Sequence, residues 1–90
     1  MEEQANKNKA KYNYNKLLGK IKELYGTQER FAKELGIGRV SLSQRLNNKL
    51  EFTQNEILLG CRLLDISKDD IPIYFFEVAC WTNAEELPGS

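Results

Sequence analysis

Two short amphipathic patterns around a glycine-containing turn constrain this chain more than any other feature. The stretch between residues 28 and 49 reads QERFAKELGIGRVSLSQRLNNK. Apolar residues in both halves follow helical spacing; they are Phe31, Ala32 and Leu35 in the first half, and Leu42 and Leu46 in the second. Two helices that meet at a steep angle need a short flexible turn between them, and Gly36 and Gly38 supply it. The sequence therefore predicts a helix-turn-helix motif with these apolar residues in its core.

Length and composition describe one small globular domain. The 90 residues are 41% hydrophobic and 29% charged, and no apolar run is long enough to span a membrane. The N-terminal residues lack the apolar core of a secretory signal, so we expect a cytoplasmic protein. Two distant cysteines, Cys61 and Cys80, and the absence of histidine make a metal site untenable. We expect no cofactor.

Charge is divided unevenly along a chain whose net charge is zero. Residues 7–49 carry eleven basic and three acidic side chains, a net charge of +8. Residues 50–90 carry two basic and eight acidic side chains, a net charge of −6. A lysine-rich run alone is most often a solvated face, but here it coincides with the predicted motif. A clustered positive surface attracts phosphate backbones, so the coincidence favours nucleic acid as a partner.

Helical patterns flank the motif on both sides. A first helix is predicted from about Tyr14 to Tyr25, and a fourth from Thr53, which with Glu56 forms a capping box, to Leu64. The predicted fold is all-α, a compact bundle of four to five helices. We expect a flexible basic arm over residues 1–12, the domain over residues 13–81, and a disordered acidic tail over residues 82–90.

An aromatic-rich segment follows the fourth helix. Part of it should complete the small core, and the remainder should leave apolar surface exposed. Residues 78–81 show no clear helical spacing and are either extended or a short helix. The candidate dimer or partner contacts are Ile73, Tyr74, Phe75, Phe76 and Trp81.

No catalytic motif accompanies these patterns. The sequence contains no glycine-rich phosphate loop, no histidine base and no nucleophile beside an activating partner. We therefore expect a protein that is not an enzyme and has no small-molecule substrate.

Candidate DNA contacts lie on the outward face of the third predicted helix and around it. An arginine can bind guanine and a glutamine adenine through paired hydrogen bonds in the major groove. The candidates for base readout are Arg39, Val40, Ser43 and Gln44. The candidates for backbone contact are Lys16, Thr27, Gln28, Gly38, Ser41, Arg45, Asn47, Asn48 and Lys49. For each basic residue the alternative is a solvated charge without a partner.

Residues 17–64 resemble the helix-turn-helix of bacteriophage Cro and repressor proteins, the xenobiotic-response-element-type regulators. The matching positions are Gln28, Phe31, Ala32, Leu35, Gly36, Leu42, Leu46 and Asn47. The ending LLDISKDDIPIYFF also resembles small phage regulators of Gram-positive hosts. The resemblance implies a lambda-repressor-like domain that binds a double-stranded, two-half-site operator as a homodimer. Two departures are Asn48, where many members have glycine, and Arg45, where many have an apolar or aromatic residue.

Two hypotheses follow from these observations. The first is a sequence-specific DNA-binding regulator, most simply a phage repressor. The second is a protein-interaction module in which the helix-turn-helix is a scaffold and residues 71–81 bind a toxin or another regulator. The basic half of the chain favours the first hypothesis, because a module that binds only protein does not need it.

Overall fold

The structure is a computed structural model that describes residues 8–83. A β-strand begins the described chain, five helices follow, and a second strand ends it. In order, the elements are β1 (Asn8–Tyr12), α1 (Asn15–Tyr25), α2 (Gln28–Leu35), α3 (Arg39–Leu46), α4 (Gln54–Leu63), a 3-10 turn (Lys68–Asp70), α5 (Ile71–Phe75) and β2 (Val78–Asn83). The predicted helices lie where the apolar spacing placed them, within one or two residues at each end.

Capping residues explain where α2 and α4 begin. The Thr27 hydroxyl accepts a hydrogen bond from the Arg30 amide at 3.2 Å. At α4, the Thr53 hydroxyl accepts from the Glu56 amide at 3.1 Å, and Glu56 Oε1 accepts from the Thr53 amide at 3.0 Å. The predicted capping box is confirmed. These bonds satisfy amide groups that the first turn of a helix leaves without partners.

The core is built where α1 to α5 meet. Its buried residues are Tyr14, Leu17, Ile21, Phe31, Ala32, Leu35, Leu42, Leu46, Cys61, Leu64, Ile66 and Phe75. They include all five apolar residues predicted for the helix pair, so that prediction is confirmed. Because α2 and α3 each pack one apolar face against this core, their remaining faces are turned toward solvent.

Aromatic rings close one end of the core. Phe52 lies edge-on to Tyr14, with ring centroids 5.5 Å apart, and edge-on to Phe75 at 5.3 Å. This edge-to-face arrangement is favoured by the charge distribution of aromatic rings. Burial raises the pKa of Tyr14 to about 12, assisted by the nearby Tyr12 and Glu51. The expectation that the C-terminal aromatic segment completes the core is confirmed for Phe75.

The two strands correct the expectation of an all-α fold. β1 and β2 pair antiparallel as a two-stranded sheet, with Ala10 opposite Trp81 and Tyr12 opposite Val78. We call this sheet the terminal ribbon. The expected domain boundaries, after residue 12 and after residue 81, fall at the end of β1 and inside β2. The remainder of the expected arm and tail, residues 1–7 and 84–90, lies outside the described residues.

Over residues 8–83, no helix is long and apolar enough to cross a membrane. The same part of the chain has no group of three or more histidine, cysteine, aspartate or glutamate side chains placed to hold a metal ion. Cys61 is buried and Cys80 is exposed, and both are free thiols. Burial raises the pKa of Cys61, in keeping with the core position predicted for it.

Candidate functional site

A tight turn sets the relative placement of α2 and α3. Gly36 has a φ of 87°, a left-handed conformation that glycine adopts without steric cost. Its amide donates to the Ala32 carbonyl at 2.9 Å, and the Ile37 amide donates to the same carbonyl at 3.0 Å. Gly38 has an extended backbone and is the N-cap residue of α3. The turn therefore places three residues between Leu35, the last residue of α2, and Arg39, the first residue of α3.

The outward side of α3 is polar and open, and we call it the α3 surface. Arg39 and Asn47 are exposed, Ser41, Ser43 and Gln44 are half-buried, and Val40 is 65% exposed. Val40 therefore turns outward, where the sequence analysis placed it as a candidate for base readout. Asn47 Nδ2 donates to the Ser43 carbonyl at 2.9 Å and to its hydroxyl at 3.2 Å.

The N-terminus of α2 and the start of α3 come together. Thr27, Gln28 and Arg39, with Glu29, line one shallow depression. Three residues predicted separately from the sequence thus share one surface. The Arg39 charge and the backbone amides at a helix N-terminus suit an anionic partner, whereas the Glu29 carboxylate in the same depression opposes one. Lys49 and Gly38 are also exposed near this helix pair.

Arg45 is engaged inside the protein. Its Nε donates to Glu56 Oε1 at 2.8 Å and its Nη1 donates to the Ser41 carbonyl at 2.9 Å. The two charged side chains are only 15% and 14% exposed. Burial alone would raise the pKa of Glu56, but hydrogen bonds from Arg45 and Thr53 and the Arg45 charge lower it below its usual value. The DNA contact of Arg45 stays a prediction; we assign the side chain a structural role that fastens α3 to α4.

Asn48 fastens the terminal ribbon to the end of α3. Its φ of 64° is left-handed, as expected for asparagine at this position. Its Oδ1 accepts from the Tyr12 amide at 2.9 Å and its Nδ2 donates to the Tyr12 carbonyl at 3.0 Å. The carboxamide pairs with β1 as a peptide group of a third strand would. The DNA contact of Asn48 also stays a prediction, and both polar atoms of its side chain already have hydrogen-bond partners in Tyr12.

Replacing Asn48 by glycine should release the ribbon from the helices. Glycine accepts the left-handed backbone but loses both hydrogen bonds, and two such bonds contribute about 2 kcal/mol. We expect the Tyr12 amide to exchange with solvent at least tenfold faster in Asn48→Gly, as measured by hydrogen exchange. Asn47→Gly, one residue earlier and exposed, is the control that should leave Tyr12 exchange unchanged. Equal Tyr12 exchange in Asn48→Gly and the parent chain would contradict this assignment.

The predicted partner contacts near the C-terminus divide into two groups. Phe75 is 3% exposed and Tyr74 is packed against the core, so their rings serve the fold. Ile73, Phe76 and Trp81 are 45%, 48% and 67% exposed. We call Ile73 and Phe76, which lie three residues apart, the α5 surface. Trp81 is part of β2 in the terminal ribbon.

The remaining surface includes an exposed ion pair at Lys16 and several exposed apolar residues. Lys16 Nζ lies 3.8 Å from Glu77 Oε1, and both side chains are well exposed, so this pair contributes little to stability. The exposed apolar residues include some that the sequence pattern does not mark as surface residues, among them Val78 of β2, and Leu58 and Leu59 of α4. The apolar pattern around Leu58 and Leu59 also fits a fully buried helix, so only the packing of α4 shows that these two side chains are exposed.

Comparisons with known proteins bear on this arrangement. A search of curated proteins finds no match. Among solved structures, the chain is similar to the modulator of repression (MOR) of the temperate bacteriophage TP901-1 from Lactococcus lactis. The identity is 43%, the TM-score is 0.65, and the match covers 72% of this chain and 88% of that one.

This match supports the phage-regulator part of the expected resemblance, while the Cro-like repressor part stays a prediction. The other finding concerns a protein family whose description states no function. Residues 10–78, from β1 to the first residue of β2, match the family described as Protein of unknown function (DUF739). Because the match spans most of the chain, this protein belongs to the DUF739 family.

Proposed function

We propose that this chain is a phage regulatory protein that modulates repression by binding a repressor protein. The observation that carries the proposal is the 43% identity, over 72% of the chain, to a protein that modulates repression in a temperate phage. Such a protein acts on a repressor's effect, and contact with the repressor itself is the most direct way to do so. The proposal develops the protein-interaction hypothesis drawn from the sequence.

The α5 surface supplies the chemistry for a protein partner. Ile73 and Phe76 leave about half of each side chain in solvent, and an aromatic and an aliphatic group together are typical anchors of a protein interface. Acidic residues border them in sequence: Asp69 and Asp70 precede α5, and Glu77 follows it. A DNA-binding repressor carries a basic surface, so an apolar centre with an acidic border complements it.

DNA binding through the α3 surface is the second candidate function. It is favoured by the depression in which Arg39 lies beside Thr27 and Gln28, and by the net charge of +8 over residues 7–49. In this alternative the third helix enters the major groove, and Arg39 and Gln44 contact bases. The homodimer and the two-half-site operator implied by the family resemblance belong to this candidate.

Calorimetric titration of the full chain with the purified repressor of the same phage tests the first proposal. Phe76→Lys should weaken repressor binding by roughly tenfold or more, since an anchor is lost and a charge faces a basic partner. The double variant Arg39→Ala and Gln44→Ala is the matched change on the α3 surface and should bind the repressor as the parent does.

The outcomes separate the two surfaces. No heat of binding with the repressor, or a loss confined to the α3 variant, would overturn the proposed α5 interface. A mobility shift of operator DNA by this chain alone, weakened by salt and by the α3 variant, would instead support the second candidate.

A further inference from the structure

The terminal ribbon has two outer edges, and they differ in what occupies them. On the β1 side, the Asn48 carboxamide already pairs with both backbone groups of Tyr12. Along the outer edge of β2, the edge that faces away from β1, no further strand pairs within residues 8–83. Residues 78–81 of β2 are all exposed. An unpaired strand edge is a ready site for main-chain hydrogen bonding to another strand.

The pairing pattern shows which backbone groups face that open edge. The Asn13 amide donates to the Glu77 carbonyl at 2.8 Å, while both backbone groups of Tyr12 turn away from β2 to meet Asn48. In an antiparallel pair, successive residues alternate between facing the partner strand and facing away. The register shifts between Lys11 and Tyr12, which leaves Ala79 without an opposite residue, so the alternation is followed along β1 from Tyr12 to Ala10. With Cys80 opposite Lys11 and Trp81 opposite Ala10, it directs the Cys80 backbone groups toward β1 and the Trp81 backbone groups outward.

The side chains of the open edge are suited to association with a like strand. β2 reads VACWTN, six residues without a charge, a proline or a glycine. Trp81 is 67% exposed and Val78 is 42% exposed. Uncharged, β-prone edges of this kind are the ones that natural proteins normally protect against pairing.

We propose that β2 pairs antiparallel with β2 of a second copy of this chain, forming a four-stranded sheet across a two-fold axis. Such pairing is self-complementary, so it closes as a dimer and does not grow into a filament. A β1-to-β1 arrangement is disfavoured, because Asn48 blocks the edge and Lys9 and Lys11 would approach their counterparts.

The positions of the lysine residues are also compatible with the β2-to-β2 dimer. The lysine-bearing strands become the two outer strands, separated by three strand spacings, about 14 Å. Exposed charges at that separation are largely screened at physiological salt. The neutral strands meet in the middle, where main-chain hydrogen bonds and the Trp81 side chains stabilise the pair. This inference stands independently of the proposed function.

Sedimentation velocity of the full chain, from roughly micromolar to millimolar concentration, tests it. The parent chain should pass from monomer to dimer, and Trp81→Lys should weaken association by roughly tenfold or more, because a central aromatic is lost and like charges face each other. Leu58→Lys introduces the same charge at an apolar residue of α4 with 59% exposure, and should dimerise as the parent does.

Amide exchange adds a readout that follows the pairing itself. The Trp81 amide should exchange at least tenfold more slowly at the concentration where the dimer forms. The exchange of the Cys80 amide, which the strand alternation directs toward β1, should not change. A monomer at every concentration, a dimer unaffected by Trp81→Lys, or Trp81 exchange independent of concentration would each overturn the proposal.

Discussion

Truncation of Phe75 to alanine is expected to destabilise the protein far more than the same change at the neighbouring Phe76. Phe75 is 3% exposed, its ring lies edge-on to Phe52, and its Cζ lies 3.6 Å from where a Cβ on Gly60 would be. Removing a fully buried phenylalanine costs about 3–5 kcal/mol, the transfer free energy plus the cavity that remains. That is a large fraction of the stability of a domain of this size.

Phe76→Ala is the matched control for this prediction. Its ring is 48% exposed and makes one edge-on contact with Tyr12, so its loss should cost about 1 kcal/mol. Urea denaturation followed by circular dichroism measures both free energies of unfolding. Equal destabilisation by the two variants would contradict the division of the aromatic segment into a core residue and a surface residue.

Among the charged residues of the described structure, truncation of Glu56 is expected to lower the free energy of unfolding the most. Glu56→Ala removes half of the capping box and leaves the Arg45 guanidinium, 15% exposed, without its carboxylate. A lost cap costs about 1 kcal/mol and an uncompensated, largely buried charge costs more, so we expect a loss of about 3 kcal/mol in total. Glu34→Ala, on the exposed side of α2, should change the free energy of unfolding by less than about 0.5 kcal/mol.

The ion pair between Glu56 and Arg45 makes the stability of the protein depend on pH in a defined way. The pKa of Glu56 is lowered in the folded state, so the unfolded state binds the proton more readily. Its contribution to stability is therefore complete above the unfolded value of about 4.5 and is lost as the pH falls through the folded pKa. Glu56→Gln should lack this part of the acid sensitivity. Parallel stability curves for Glu56→Gln and the parent between pH 6 and pH 3, roughly the range of carboxylate titration, would contradict the role of the pair.

The helices and their core could be predicted because their signals are local. Apolar spacing in residues 28–46 identifies the buried face, and Thr53 with Glu56 identifies the start of α4. The terminal ribbon could not be predicted in this way. Its strands are five and six residues long and lie about seventy residues apart, and β1 is so polar that its composition indicates a flexible arm. Only the pairing of distant segments makes it a strand.

The candidate site was predictable in part for the same reason. Helical spacing identifies the outward position of Arg39, because it depends only on neighbours along α3. The engagement of Arg45 by Glu56 and of Asn48 by Tyr12 depends on residues 11 and 36 positions away, so no local pattern shows it. Both residues looked like free polar groups near the motif, and in the structure both hold elements together.

The proposed function requires this chain to change how the repressor binds its operator. A mobility-shift experiment with the repressor and its operator, with this chain present or absent, measures that change. We predict that the chain changes the fraction of operator bound by the repressor and, alone, leaves the operator unshifted. Unchanged repressor occupancy at saturating amounts of the chain, together with a shift of the operator by the chain alone, would contradict it.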